Sequence, residues 1–220
     1  MAVVAYVRHG QREPDSRGAF RGEGAGTLQC GITEEGIRQA HRVGKELTKL
    51  TVAMLFSSPL QMARETADII KDEYFSARGS LRVELDESLI ERQVGRLSNR
   101  PMPGDAGWIE FRNAQARANY PDIESFISIK HRVVVFSNKI ARRHDAELGV
   151  IVAVTHQDVI HAAVGLAYGY NELNGHLNPG VDEGSLTVIS YKPSKASVML
   201  ENKAELSKAD VNMLSQLLRA

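Results

Sequence analysis

Two runs of small and β-branched apolar residues, Val3-Val4-Ala5-Tyr6-Val7 and Val150-Ile151-Val152-Ala153-Val154, each lead within two residues into a histidine, His9 and His156. A strand covered on both faces reads as such a continuous run, and strands of this kind belong to largely parallel sheets with helices on either side. Ligands of those sheets bind in the crevice beyond the carboxyl ends of the strands. Both histidines can therefore project from one edge of one sheet, and Gly10, behind Arg8-His9, lets the backbone turn there.

Between the two runs the chain alternates. Thr33-Glu34-Glu35-Gly36 predicts a helix start, with Thr33 as N-cap and acids in the first turn, followed by Ile37, Ala40, Val43, Leu47 and Leu50 at helical spacing. A short strand, Val52 to Phe56, ends in Ser57-Ser58-Pro59, and Met62, Ala63, Ala67, Ile69 and Ile70 pattern a second helix. A weaker strand from Leu81 to Leu85 gives way to a stretch marked by Gly95, Pro101, Pro103, Gly104 and Gly107. Helices are expected from Trp108 to Tyr120, from Ser125 to Glu147 (with Phe126, Ile129, Val133, Val134, Phe136 and Ile140) and from Asp158 to Tyr168. Gly184 to Tyr191 and Ser197 to Leu200 read as closing strands, and Ala209 to Leu218 as a short amphipathic helix. The expected fold is an α/β, three-layer α/β/α sandwich: a mostly parallel central sheet, helices on both faces, and a loop-rich helical cap insertion. Residues 1–220 are expected to form one domain, with residues 86–147 including the cap.

Charge narrows the partners. Lys plus Arg and Asp plus Glu each number 27, and they are interspersed, so no polybasic footprint suggests nucleic acid or anionic lipid. No run is apolar enough to span a bilayer and no leader pattern opens the chain, so a cytoplasmic protein is expected. The single cysteine, Cys30, excludes an internal disulfide and reads as a small buried hydrophobe. No Cys/His cluster has zinc spacing, and neither a metal nor a cofactor is expected.

Taken singly, Arg8 is a surface charge and His9 a loop histidine. Two strand-end histidines with a cation beside them form an anion site instead, because guanidinium grips phosphate oxygens through a planar fork of donors. The ligand that fits is a phosphoryl group. His41, His131, His144, His161 and His176 carry no comparable placement and read as structural.

Several segments in order carry a resemblance: Val7-Arg8-His9-Gly10; Gly31-Ile32-Thr33 with Gly36, Gln39 and Ala40; Ser57-Ser58-Pro59-Leu60 with Ala63, Thr66 and Ala67; Leu89-Ile90-Glu91-Arg92; Glu124-Ser125; and Val154-Thr155-His156. Together they resemble the histidine phosphatase superfamily, the group that includes cofactor-dependent phosphoglycerate mutases and many phosphomonoesterases. The resemblance implies that His9 attacks phosphorus to give a phosphohistidine later hydrolysed by water. It implies that Arg8 and His156 stabilise the transferring group and that Glu91 donates a proton to the leaving group. On the residues alone, Glu91 ranks no higher than Glu84 or Glu87.

One departure stands out. Family members usually carry an arginine after Ser-Ser-Pro and two further residues, where this chain has Met62. Losing a charge-assisted hydrogen bond to phosphate removes about 1.5 to 3 kcal/mol, or about one to two powers of ten in affinity. Arg64 would need an irregular first helical turn to replace it, and Arg12, Arg17 and Arg21 are alternative donors. After His156 the usual glycine is Gln157, and no residue matches the family's phosphate-contacting Asn. Arg64, Arg92, Gln11, Gln157 and Arg21 are thus the candidate substrate contacts, Arg92 being equally readable as a solvated charge.

These features predict a metal-independent phosphomonoester hydrolase acting on a small phosphorylated metabolite or a phosphoprotein. Its alternatives are a phosphoglycerate mutase-type phosphotransferase and a low-activity phosphate-binding pseudo-phosphatase, the latter because of Met62. Specificity would lie in the loop Gln11 to Gln29 and in Gln93 to Gly107. Oligomeric state is open, a homodimer being one expectation.

Overall fold

The computed structural model describes residues 1–13, 30–93, 124–143, 149–170, 180–192 and 195–219. Six strands form one sheet: β1 (Ala2–Arg8), β2 (Val52–Ser57), β3 (Val83–Leu85), β4 (Val150–Thr155), β5 (Leu186–Lys192) and β6 (Lys195–Lys203). Their order is β3-β2-β4-β1-β5-β6. β1 and β4 pair in parallel, as do β2 with β4 and β2 with β3, while β5 runs antiparallel to both β1 and β6.

Alternation along the strands divides the core into two layers. On one face, Val3, Ala5 and Val7 of β1 and Val150, Val152 and Val154 of β4 pack against three helices: α1 (Glu34–Leu47), α2 (Gln61–Arg78) and, through Leu214, α5 (Lys208–Leu217). On the other, Ala2, Val4, Tyr6, Ile151 and Ala153 meet Phe126, Ile129, Val133, Phe136 and Ile140 of α3 (Phe126–Arg143) and Val159, Ile160 and Ala163 of α4 (Gln157–Tyr168). This is the three-layer α/β/α arrangement. Among the described residues no helix is long and apolar enough to cross a membrane.

The topology decides where a ligand can sit. β1 and β4 are neighbours, with Arg8 opposite Thr155 in register. The chain leaving β1 reaches α1 on one face, whereas the chain leaving β4 enters α4 on the other. Their carboxyl ends therefore open a crevice, the switch point at which doubly wound sheets bind ligands.

Thr33 caps α1 as expected, its Oγ1 accepting from Gly36 N at 3.1 Å. The buried stripe differs from the expected one: Ile37 is exposed, and Gly36, Ala40, Val43, Gly44 and Leu47 face inward. Gly36 turns inward because the chain beyond β1 passes directly over it; a Cβ there would lie 2.4 Å from Gln11 O, and one on Gly10 would lie 2.4 Å from Gly36 O. Two glycines thus let the loop carrying His9 lie on α1 with no side chain between them. Of the helix expected from Ser125 to Glu147, α3 accounts for Phe126–Arg143, 144–148 lie outside the described residues, and Val134 on it is exposed. The helix expected from Trp108 to Tyr120, and residues 94–123 of the expected cap, also lie outside the described residues.

Candidate active site

His9 continues the β1–β4 pairing by one residue, its N–H donating to Thr155 O at 3.0 Å. Its imidazole is buried, and Nδ1 lies 2.7 Å from Gly10 O. A carbonyl only accepts, so Nδ1 carries the hydrogen and Nε2 of the neutral ring keeps its lone pair. Burial above all, with the nearby Arg8 and Arg12 charges adding to it, holds the His9 pKa down at about 3, although the bond to Gly10 opposes the shift. Thr66 steadies the turn from α2: its Oγ1 accepts from Gly10 N at 3.0 Å and donates to Met62 O at 2.7 Å.

His156 closes the other side of the crevice. The two rings lie 5.1 Å apart, centroid to centroid, inclined at 56°. His156 Nε2 shares a 2.9 Å hydrogen bond with Ser58 Oγ, and Ser58 N donates to Val154 O at 2.9 Å, so the Ser-Ser-Pro turn is fastened to β4 beside the histidine. Burial first, then His9, Arg8, Arg132 and Arg12, push the His156 pKa well below its ordinary value. The charges of Arg8 and Arg12 thus act on both histidines.

Arg8 is tethered by its guanidinium: Nη1 donates to Val181 O and Nη2 lies 3.5 Å from Glu183 Oε1. Its Nε–H is buried and has no partner among the described residues. Glu91 lies at the end of the loop after β3 and is half-buried, its Oε1 accepting from Arg92 N at 2.9 Å and Asp158 N at 3.3 Å. Withdrawal from water, reinforced by the Asp158 carboxylate, raises its pKa to about 7 against the opposing pull of those N–H groups and Arg8. A neutral, buried imidazole and a carboxyl holding its proton near neutrality thus share one cleft, the pairing of nucleophile and acid that acyl- or phosphoryl-transfer chemistry needs.

The family model described as histidine phosphatase superfamily (branch 1) matches residues 4–204. The chain belongs to the histidine phosphatase superfamily. A 2,3-bisphosphoglycerate-dependent phosphoglycerate mutase of Thermoplasma acidophilum is 29% identical over 201 residues, 87% of this chain and 88% of that protein. The 5''-phosphoribostamycin phosphatase of Niallia circulans is 28% identical over 179 residues, 79% of this chain and 82% of that protein. Among solved structures, a mycobacterial glucosyl-3-phosphoglycerate phosphatase superposes with a TM-score of 0.76, covering 92% of this chain and 99% of that one. At 21% identity it shows a shared fold.

Within this member of the superfamily, Arg8, His9, Glu91 and His156 come together at one sheet edge. The other expected contacts divide. Gln157 is half-buried in the first turn of α4, next to His156. Arg92 is buried, not a solvated charge; its Nε donates to Glu124 O at 2.8 Å. Gln11 is exposed, and its Oε1 accepts from Thr33 Oγ1 at 2.8 Å. Arg64 is exposed on α2. Because α2 is regular from Gln61, Arg64 stands about 200° around the helix from both Met62 and Thr66, so the structure does not bring it to the histidines. Arg21 lies outside the described residues. Met62 is buried with Cys30 and Ile32, on the same face of α2 as Thr66 and one turn earlier in the helix.

Ser58, Thr66, Thr155, Asp158 and Arg132 also bond to the site's residues or the segments carrying them, and sequence reasoning assigns them no role. The first three lie inside the family-like segments, which flagged them without revealing what they touch. Asp158 and Arg132 lie outside those segments and carry no mark in the sequence.

Proposed function

We propose that the protein is a phosphomonoesterase working through a phosphohistidine on His9. The observation that carries this is the His9 Nδ1–H bond to the Gly10 carbonyl, which leaves the Nε2 lone pair in a cleft shared with Arg8, His156 and Glu91. The Nε2 lone pair attacks phosphorus, the P–O ester bond breaks, and the departing alkoxide takes the Glu91 proton. The Gly10 carbonyl supports the positive charge the ring acquires, while Arg8 and His156 face the phosphoryl oxygens. Water then gives a proton to the Glu91 carboxylate as its oxygen bonds to phosphorus; the P–N bond breaks, and phosphate leaves with His9 neutral and Glu91 protonated again. The chain's own groups suffice for both steps, so activity without added metal is expected.

The substrate class is a small phosphorylated metabolite or a phosphoprotein, and the 5''-phosphoribostamycin phosphatase relative supports hydrolysis. The Thermoplasma relative favours a second reading, a phosphoglycerate mutase. Incubation with 3-phosphoglycerate and a bisphosphoglycerate primer separates the two: a phosphatase releases phosphate faster than it forms 2-phosphoglycerate, and a mutase does the reverse. For the leading reading, purified protein should hydrolyse p-nitrophenyl phosphate, be inhibited by vanadate and lose turnover as His9→Ala. Unchanged turnover in that variant overturns it.

A further inference from the structure

Arg132 lies on α3, away from the strands that carry the histidines, yet its guanidinium is committed to the loop bearing Glu91. Nη1 donates to Ser88 O at 2.7 Å and to Ile90 O at 2.9 Å. Nε and Nη2 form a two-pronged pair with Glu124 Oε1 and Oε2, each at 2.7 Å. Between the two gripped carbonyls, Leu89 O accepts from Thr155 Oγ1 at 2.6 Å. Three successive carbonyls immediately before Glu91 are therefore fixed, two by Arg132 and one by the end of β4.

Glu124 fixes the other side. Its backbone oxygen accepts from Arg92 Nε at 2.8 Å, its N–H donates to Gln93 O at 2.8 Å, and its Oε2 accepts from Gln93 N at 3.2 Å. Ser128 Oγ donates to Oε1 at 3.1 Å. The residues flanking Glu91 in both directions thus converge on one partly buried guanidinium–carboxylate pair, with side chains 21% and 9% exposed.

We propose that Arg132, oriented by Glu124, is a positioning residue that sets the Glu91 carboxyl for proton delivery to the leaving group. This rests on the phosphomonoesterase reading. A general acid acts only within hydrogen-bond reach of the atom it protonates, and a displacement of about 1 Å costs about a hundredfold. The geometry calls for a planar fork that spans two carbonyls and a carboxylate at once. Lysine keeps the charge felt by His156 but has no such fork.

The test is kcat/KM of wild type, Arg132→Lys and Glu124→Gln on two esters of similar shape, p-nitrophenyl phosphate and phenyl phosphate, at pH 6. Nitrophenolate leaves without a proton, whereas phenolate needs one far more. kcat/KM stops at the first irreversible step, so water activation does not enter. Both variants should lose about tenfold or more on phenyl phosphate and less than about threefold on the nitrophenyl ester, with thermal melting showing that each is folded. Equal losses on both esters, as a merely structural role gives, or no loss on either, overturn the proposal. Wild type that hydrolyses neither ester overturns the phosphomonoesterase reading itself, and the positioning role with it.

Discussion

Acidification should reveal the neutrality of His9 as a stability cost, and His9→Gln should remove that cost. An unfolded chain protonates this histidine near 6.5, whereas the folded protein does so only near about 3. The unfolded state therefore takes up the proton first, and stability is lost as pH falls below about 6.5 toward the folded value. From pH 7.5 to 4.5 the difference in proton uptake is worth about two pK units, or about 2.7 kcal/mol. Glutamine can still donate to the Gly10 carbonyl but does not titrate. Urea unfolding followed by circular dichroism at both pH values should show wild type losing about 2 to 3 kcal/mol more than His9→Gln. His156, which burial above all keeps neutral, and the remaining titrating groups contribute nearly equally in both chains. Parallel losses within about 0.5 kcal/mol would refute the reasoning, because His9 would then be charging in the folded protein as an ordinary histidine.

Three further outcomes follow from the site. Glu91→Gln should cost about 10² to 10⁴ in kcat/KM on phenyl phosphate and far less on p-nitrophenyl phosphate, and wild-type activity on phenyl phosphate should fall above about pH 7 as the raised carboxyl of Glu91 ionises; a flat basic limb contradicts this. Gly36→Ala places a Cβ 2.4 Å from Gln11 O and 2.8 Å from the Ile32 Cβ, so it should cost about 1 to 3 kcal/mol in thermal unfolding and lower kcat by displacing His9; an unchanged melt and kcat would show that the close approach is unimportant. Met62→Arg, on the Thr66 face of α2, should tighten vanadate inhibition by about one to two powers of ten, and an unchanged inhibition constant would mean that another cation already fills that position.

What the sequence revealed was local. The apolar runs of β1 and β4, the Thr33 cap and the Ser57-Ser58-Pro59 turn each write their conformation into neighbouring residues, and the strand ends then located His9 and His156. Side-chain facing was less legible: Ile37 and Val134 fit an apolar period yet are exposed, and on α1 it is Gly36 that takes the inward position, where backbone meets backbone. Glu91 became visible only through family resemblance, because its raised pKa depends on burial and on Asp158, 67 residues away. Arg132 had no local mark at all; its carbonyl partners lie 44 and 42 residues earlier. Arg64 shows the converse, a cation near the motif in sequence that helix periodicity turns to solvent.

The central claim is that His9 Nε2 receives the phosphoryl group. The most direct measurement quenches the enzyme without acid during turnover of p-nitrophenyl phosphate and locates the phosphate by mass spectrometry and ³¹P–¹⁵N NMR. The phosphoryl group is expected on His9, bonded to Nε2, with Nδ1 still protonated. Phosphate on His156 or on Ser58, or steady turnover with no phosphohistidine trapped, would contradict it.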